Sequence, residues 1–273
     1  MSERLMAMIA TSGPAEVSPE AVSKAMNPYM AKNEESPLIS EDNLKDASGF
    51  VVTLSGVIVA VLPFPFMIPT ETLGTAIGGE YIWRNAGDVF LSAKGHFLLT
   101  VVNPDNDPLE RLNQARVLTI VTAAIISASG GIGIFWQAAD CVIAPARFLE
   151  EAKSVSKSQF ASPLWFSFRF FPGTKDDRDD RIVCQSKGLA TFLGREIECG
   201  PYLMTPAEIA ETVILVARFM AAEGAVFGDG HTFSLSGNDD DFDARILFDW
   251  STLGGLNKPI FQLRLTAQEE ATA

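Results

Sequence analysis

The chain is poor in the side chains that carry most protein chemistry. It has two histidines, His96 and His231, and three cysteines, Cys141, Cys184 and Cys199, in 273 residues. No His or Cys spacing suits zinc, which needs several such ligands close together. A hydrolytic triad would have to take its base from His96 or His231, and neither lies beside a Gly-x-Ser-x-Gly nucleophile turn. Three scattered cysteines make no disulfide framework, so buried inert thiols and a reducing cytoplasm are expected. Basic charge is also short: 21 Lys and Arg stand against 34 Asp and Glu, for a net charge of −13. That balance argues against nucleic acid and anionic membranes as partners and fits either a basic protein partner or plain solubility. The glycines of "SGGIGIF" (129–135) follow a helical pattern and have no Lys, the reverse of a phosphate-binding loop, so they predict a helix stop and a close helix–strand contact. The N-terminus, with Glu3 and Arg4 before a short apolar stretch, lacks the apolar core of a signal peptide. Segments 50–70 and 117–139 carry no charge, but prolines, glycines and serines interrupt them. They read as buried strands and a buried helix that ends midway, so no membrane span is expected.

What is present is a patterned α+β chain. Apolar residues make up 47%, ample for a core. Residues 1–48 are polar and Pro/Ser/Glu-rich and read as an arm, mobile or docked, with one short helix near Pro19–Met30. "FVVTLSGVIVAVLPFPF" (50–66) predicts two strands around a tight turn at Ser55-Gly56, and "GHFLLTVVNP" (95–104) predicts another. Asp107-Pro108-Leu109-Glu110 is a helix start, with an N-cap acceptor, Pro at the first helical position and Glu placed for a capping box. Gly130-Gly131 is the matching stop. A strand in "GIGIFW" (131–136) and a helix in "APARFLEEAKSVSK" (144–157) close the first half.

The second half repeats this plan. "LWFSFRFF", "RIVCQS" and "REIECG" predict strands, and Thr205-Pro206-Ala207-Glu208 starts a second capped helix. "GAVFG", "HTFSLS", "ARILFDW" and "PIFQLRL" predict the closing strands. The pattern predicts two related α+β units, 49–157 and 158–273, each an antiparallel sheet packed on one face by a long Pro-capped helix. Both one shared domain and two separate ones fit this pattern, and the linker is expected near 154–163.

The acidic runs Asp176, Asp177, Asp179, Asp180 and Asp239, Asp240, Asp241, Asp243 are candidate binding surfaces. As a helix–loop–helix calcium loop the second run fails: counting from Asp239, the sixth position is Ala244 and the twelfth is Trp250, where Gly and Glu are required. A solvated turn that protects a sheet edge is expected instead. Trp83 is a candidate surface anchor. Glu196 and Glu198 share one face of a strand and read as a solvent-facing row. No catalytic set, metal or cofactor is expected.

Several segments together resemble bacterial proteins of domain-of-unknown-function family 4261. They are "VLPFPFMIPTETL", "YIW", "GHFLLTVVNP", "IGIFWQAADCVIAPARFLEEAK", "PLWFSFRFF" and "KGLATFLGREIECGPYLMTPAEIAETVILVARFMAAEGAVFGDGHTF". The resemblance runs in pieces over about 50–265. It implies a place beside bacterial competition and secretion loci, with an immunity or adaptor role, and transfers no site residues. The resulting expectation is a cytoplasmic, non-catalytic protein of acidic, immunity type that masks a basic toxin by occlusion. Two alternatives stand beside it. One is a hydrolase-like enzyme using His231 with Asp229, or His96. The other is a secretion adaptor or scaffold.

Overall fold

A computed structural model of the chain describes residues 5–40, 49–79, 83–105, 107–155, 160, 162–173, 180–223, 228–235, 244–251, 253 and 258–266. The chain folds as two compact α+β units, Met1–Trp165 and Phe166–Ala273. The boundary lies just beyond the expected linker.

The first unit holds a seven-stranded sheet of β1 (Met6–Thr11), β2 (Leu38–Ser40), β3 (Phe50–Leu54), β4 (Val57–Phe64), β5 (Gly95–Val101), β6 (Gly133–Trp136) and β7 (Cys141–Ile143). Their order is β2-β3-β4-β5-β1-β6-β7, and every neighbouring pair is antiparallel. The β3–β4 hairpin turns on Ser55 and Gly56, both at positive φ (47° and 77°), the backbone that matches strand twist in a two-residue loop. Pro63 is tolerated because β4 has there outrun β3, whose pairing with β4 ends at Phe50 opposite Val61.

The largest departure from the sequence reading is at the N-terminus. The expected arm of residues 1–48 supplies β1, which lies between β5 and β6, and also helix α1 (Pro19–Met26), a 3-10 turn (Asn27–Tyr29) and β2. Ser18 caps α1 by accepting the Ala21 N–H, and Val22 and Met26 are fully buried. Further along, the Glu34 carboxylate binds the Arg116 guanidinium through two bonds of 2.7 and 3.1 Å and accepts the Ser55 hydroxyl at 2.7 Å. Burial pushes the Glu34 carboxyl up, but the bonds from Arg116, Ser55 and the Ala31 N–H outweigh it and hold it below the usual carboxylate value.

Arg116 lies on α4 (Pro108–Ser129), the central helix of this unit. The Asp107 carboxylate accepts the N–H groups of Leu109 and Glu110, as a cap should. The Asp107 N–H is satisfied by Asp105, at 2.9 Å. Gly130 ends the helix in the left-handed conformation, φ +70°. At Gly131 a Cβ would lie 2.5 Å from Ile9 Cγ2, so a side chain there would drive the helix end off β1. The hydroxyls of Thr119, Thr122, Ser127 and Ser129 each donate to the carbonyl four residues back, which lets polar residues line an apolar helix. Leu109–Ser129 is long and apolar enough, by length and composition, to cross a membrane, and 67% of its apolar window is buried inside the protein.

Helices cover both faces of this sheet, a difference from the expected single face. α4 packs with α1, with α5 (Pro145–Ala152) and on β1, β4 and β5, on the side of Ile9. Met8 and Ala10 point the other way, into a cluster with Ile68, Leu73 and Ala76 of the α2 region (Thr70–Gly78) and Ala86 and Phe90 of α3 (Ala86–Leu91).

The second unit holds β8 (Ser167–Pro172), β9 (Ile182–Lys187), β10 (Glu196–Tyr202), β11 (Thr232–Phe233), β12 (Ala244–Ser251) and β13 (Lys258–Leu265) in the order β11-β12-β13-β10-β9-β8. Pairing is antiparallel except between β10 and β13. Leu164 and Trp165, expected in the first of these strands, form a short helix α6 (Ser162–Trp165) in the first unit. Most of the expected strand "GAVFG", residues 224–227, lies outside the described residues.

The two units share a three-stranded meander followed by a capped helix. In the first, β3-β4-β5 lead to α4, with α2 and α3 inserted before β5. In the second, β8-β9-β10 lead to α8 (Pro206–Glu223), with the short helix α7 (Ala190–Leu193) inserted before β10. They diverge after the helix: β6 pairs with the inserted β1, whereas the last strand, β13, pairs directly with β10.

Candidate functional site

An open concavity lies along α8. Thr205 and Glu208 make a full capping box that starts this helix: the Thr205 N–H and hydroxyl both donate to Glu208 Oε2 at 2.8 Å, and the Glu208 N–H returns to Thr205 Oγ1 at 3.3 Å. The backbone bond and then the hydroxyl bond hold the Glu208 carboxyl below its usual value, so it is ionised at neutral pH. Ile209, Val213, Val216, Ala217 and Met220 form the buried stripe, and α8 packs on β9 and β10.

The opposite side of α8 leaves apolar surface open to solvent. Leu203, Met204, Thr212, Leu215 and Leu235 line a groove of about 480 Å³, with Glu208 and Glu211 at its acidic edge. Leu203 is 63% exposed and Leu215 48%. Arg218, the nearest helix cation, lies beyond Leu215 and outside the lining. The arrangement sets exposed apolar side chains beside two carboxylates.

The acidic candidates separate. Asp180 is exposed in the connection from β8 to β9. Asp176, Asp177, Asp179, Asp239, Asp240, Asp241 and Asp243 lie outside the described residues. Trp83 is half-buried in the first unit's α2–α3 cluster, its ring 5.9 Å from that of Phe90. The Trp83 ring also lies where a side chain at Gly133 would go, so it packs the core.

Near the second acidic run, Asp229 does local work. The β12 edge pairs with β11 over only two residues, and Asp229 Oδ1 accepts the Phe248 N–H beyond that pairing at 2.8 Å. The Trp250 N–H is taken by Asp249. A carboxylate on a strand edge blocks pairing with another strand.

The titratable groups with chemical potential are committed elsewhere. His96 Nδ1 is 2.7 Å from the Phe66 carbonyl oxygen, and the ring stacks on Phe64. Burial lowers the His96 pKa, and the bond to Phe66 offsets only part of that, so the ring is neutral at pH 7. The exposed His231 accepts the Gly228 N–H at Nδ1, while Asp229 serves Phe248. Cys184 and Cys199 sit opposite each other on β9 and β10, fully buried. Burial pushes the Cys184 thiol up to about 12 and raises Cys199 as well.

Glu196 and Glu198 are half-buried and bonded, which differs from the expected solvent-facing row. Glu196 accepts the Ser186 hydroxyl and the N–H groups of Gly188 and Leu189. Glu198 accepts the Ser251 hydroxyl at 2.6 Å and the Gln185 amide at 3.1 Å. Ser251 Oγ itself accepts from Gln185 and the Leu253 N–H, so both its lone pairs are engaged and it is no poised nucleophile. Among the described residues no group of three or more His, Cys, Asp or Glu could hold a metal ion.

The groove residues were not singled out from sequence. Leu215 follows Glu211 by four residues and Glu208 by seven, which puts it on the charged side of α8, so helical spacing is the signal that marks its exposure. No family model matches the chain, and no curated protein or solved structure matches it either.

Proposed function

We propose that the chain is a non-catalytic binding protein for a basic protein partner. The observation that carries this is the open groove on α8, which combines exposed leucines with ionised Glu208 and with Glu211. Its most concrete form is an acidic immunity-type protein of the bacterial cytoplasm that occludes a toxin, the role implied by the resemblance to family 4261. Two buried, free thiols suit a reducing compartment, and the −13 charge would speed encounter with a cationic partner.

The test is affinity purification of the tagged chain from its native cells at low and high salt, followed by mass spectrometry. The expected result is one stoichiometric basic protein, weakened at high salt, whose activity is blocked on adding the chain. A chain that emerges with no stoichiometric partner under both conditions contradicts the proposal.

A further inference from the structure

We infer that the partner enters the α8 groove as a basic amphipathic α-helix; this rests on the reading of the chain as a binding protein. The groove is lined by side chains from one helix and from three loop positions, Leu203, Met204 and Leu235. The backbone of α8 is bonded within its own helix and offers no open strand edge. An extended peptide laid there would leave its own N–H and C=O groups without partners over an apolar floor. A helix satisfies them internally and needs only an apolar stripe to dock.

Size and charge agree with such a helix. From Glu208 to Leu215 the lining stretch of the helix rises about 10–11 Å, roughly two turns, the span of partner anchors at i, i+3 or i+4, and i+7. Met204 adds an unbranched, adaptable side chain of the kind that accommodates varied apolar anchors. Both charged residues of the lining, Glu208 and Glu211, are acidic. Lys or Arg flanking the partner's apolar stripe would meet negative charge, while an acidic helix would be repelled.

The test uses fluorescence anisotropy on the full chain with two labelled peptides. One is a Leu/Lys amphipathic helix of three to four turns. The other has the same composition with the apolar stripe scrambled. Leu215→Asp and Glu211→Lys change exposed side chains, and unchanged circular dichroism and melting establish that each variant is folded. The expected result is saturable binding of the amphipathic peptide, weakened at least about tenfold by Leu215→Asp. Glu211→Lys should weaken it too and flatten its salt dependence, and the scrambled peptide should bind weakly. Equal binding of both peptides, indifferent to Leu215→Asp, would overturn the helix-in-groove inference while leaving an acidic binding protein. No peptide binding beside a stoichiometric basic partner in the affinity purification would also overturn it without touching the broader reading. Absence of both would remove the two together.

Discussion

Replacing Thr119 by Val isolates one buried hydrogen bond. Thr119 Oγ1 accepts the Trp165 indole N–H at 2.9 Å and donates to the Ala115 carbonyl at 2.7 Å. Thr119 is fully buried and Trp165 nearly so. Val keeps the shape and the β-branch, so packing and helix propensity change little. The Ala115 carbonyl keeps its helical partner, but the indole N–H loses its Thr119 acceptor in the core. An orphaned buried donor costs about 1–3 kcal/mol. Taking roughly 2 kcal/mol, the transition of the first unit should fall by about 4–8 °C. Calorimetry and Trp fluorescence follow it, and a cycle with Trp165→Phe separates the bond from the packing of the ring. Thr119→Val costing under about 0.5 kcal/mol, with no coupling in the cycle, would refute the claim that this bond holds Trp165 against α4.

Three further outcomes follow from the same geometry. Glu34→Gln should destabilise the first unit by about 2–3 kcal/mol near neutral pH, because the ion pair with Arg116 is only 6% and 16% exposed. The Glu34 carboxyl is depressed in the fold, so its contribution is present above the unfolded pKa of about 4.3 and is lost as pH falls through the folded value. Melting temperatures of wild type and variant should therefore converge in acid, and a constant gap would contradict the assignment. Asp229→Ala should free the Phe248 N–H on the β12 edge and raise self-association in light scattering, whereas Asp229→Asn, which keeps an acceptor, should not. Thiol titration of the native chain should label Cys141 first, with Cys184 and Cys199 reacting only on unfolding; rapid labelling of all three would contradict their burial.

Much of the architecture was legible because local chemistry and tertiary structure agree. The Ser55-Gly56 turn, the Asp107 and Thr205 caps and the Gly130 stop all act as their residue types dictate. β1 was hidden because "MAMIAT" is made mostly of Met and Ala, which favour strands weakly. Its small residues are what a strand between two helical layers needs: Ile9 meets the end of α4 while Ala10 sits under the α2–α3 cluster. Glu34 likewise looked like one charge in a solvated arm, since its partner Arg116 is 82 residues away. The groove was hidden for a different reason: Leu215 lies in the apolar run "VILVA", and only helical spacing, four residues from Glu211 and seven from Glu208, puts it on the charged side of α8.

The most direct test of the central claim is methyl NMR of the full chain titrated with the basic amphipathic peptide. The account predicts saturable shifts at Leu203, Leu215 and Leu235, which line the groove, while buried Leu118 and Leu263 stay in place. Saturable shifts confined to other surfaces, or no shifts at peptide concentrations that saturate the anisotropy signal, would contradict it.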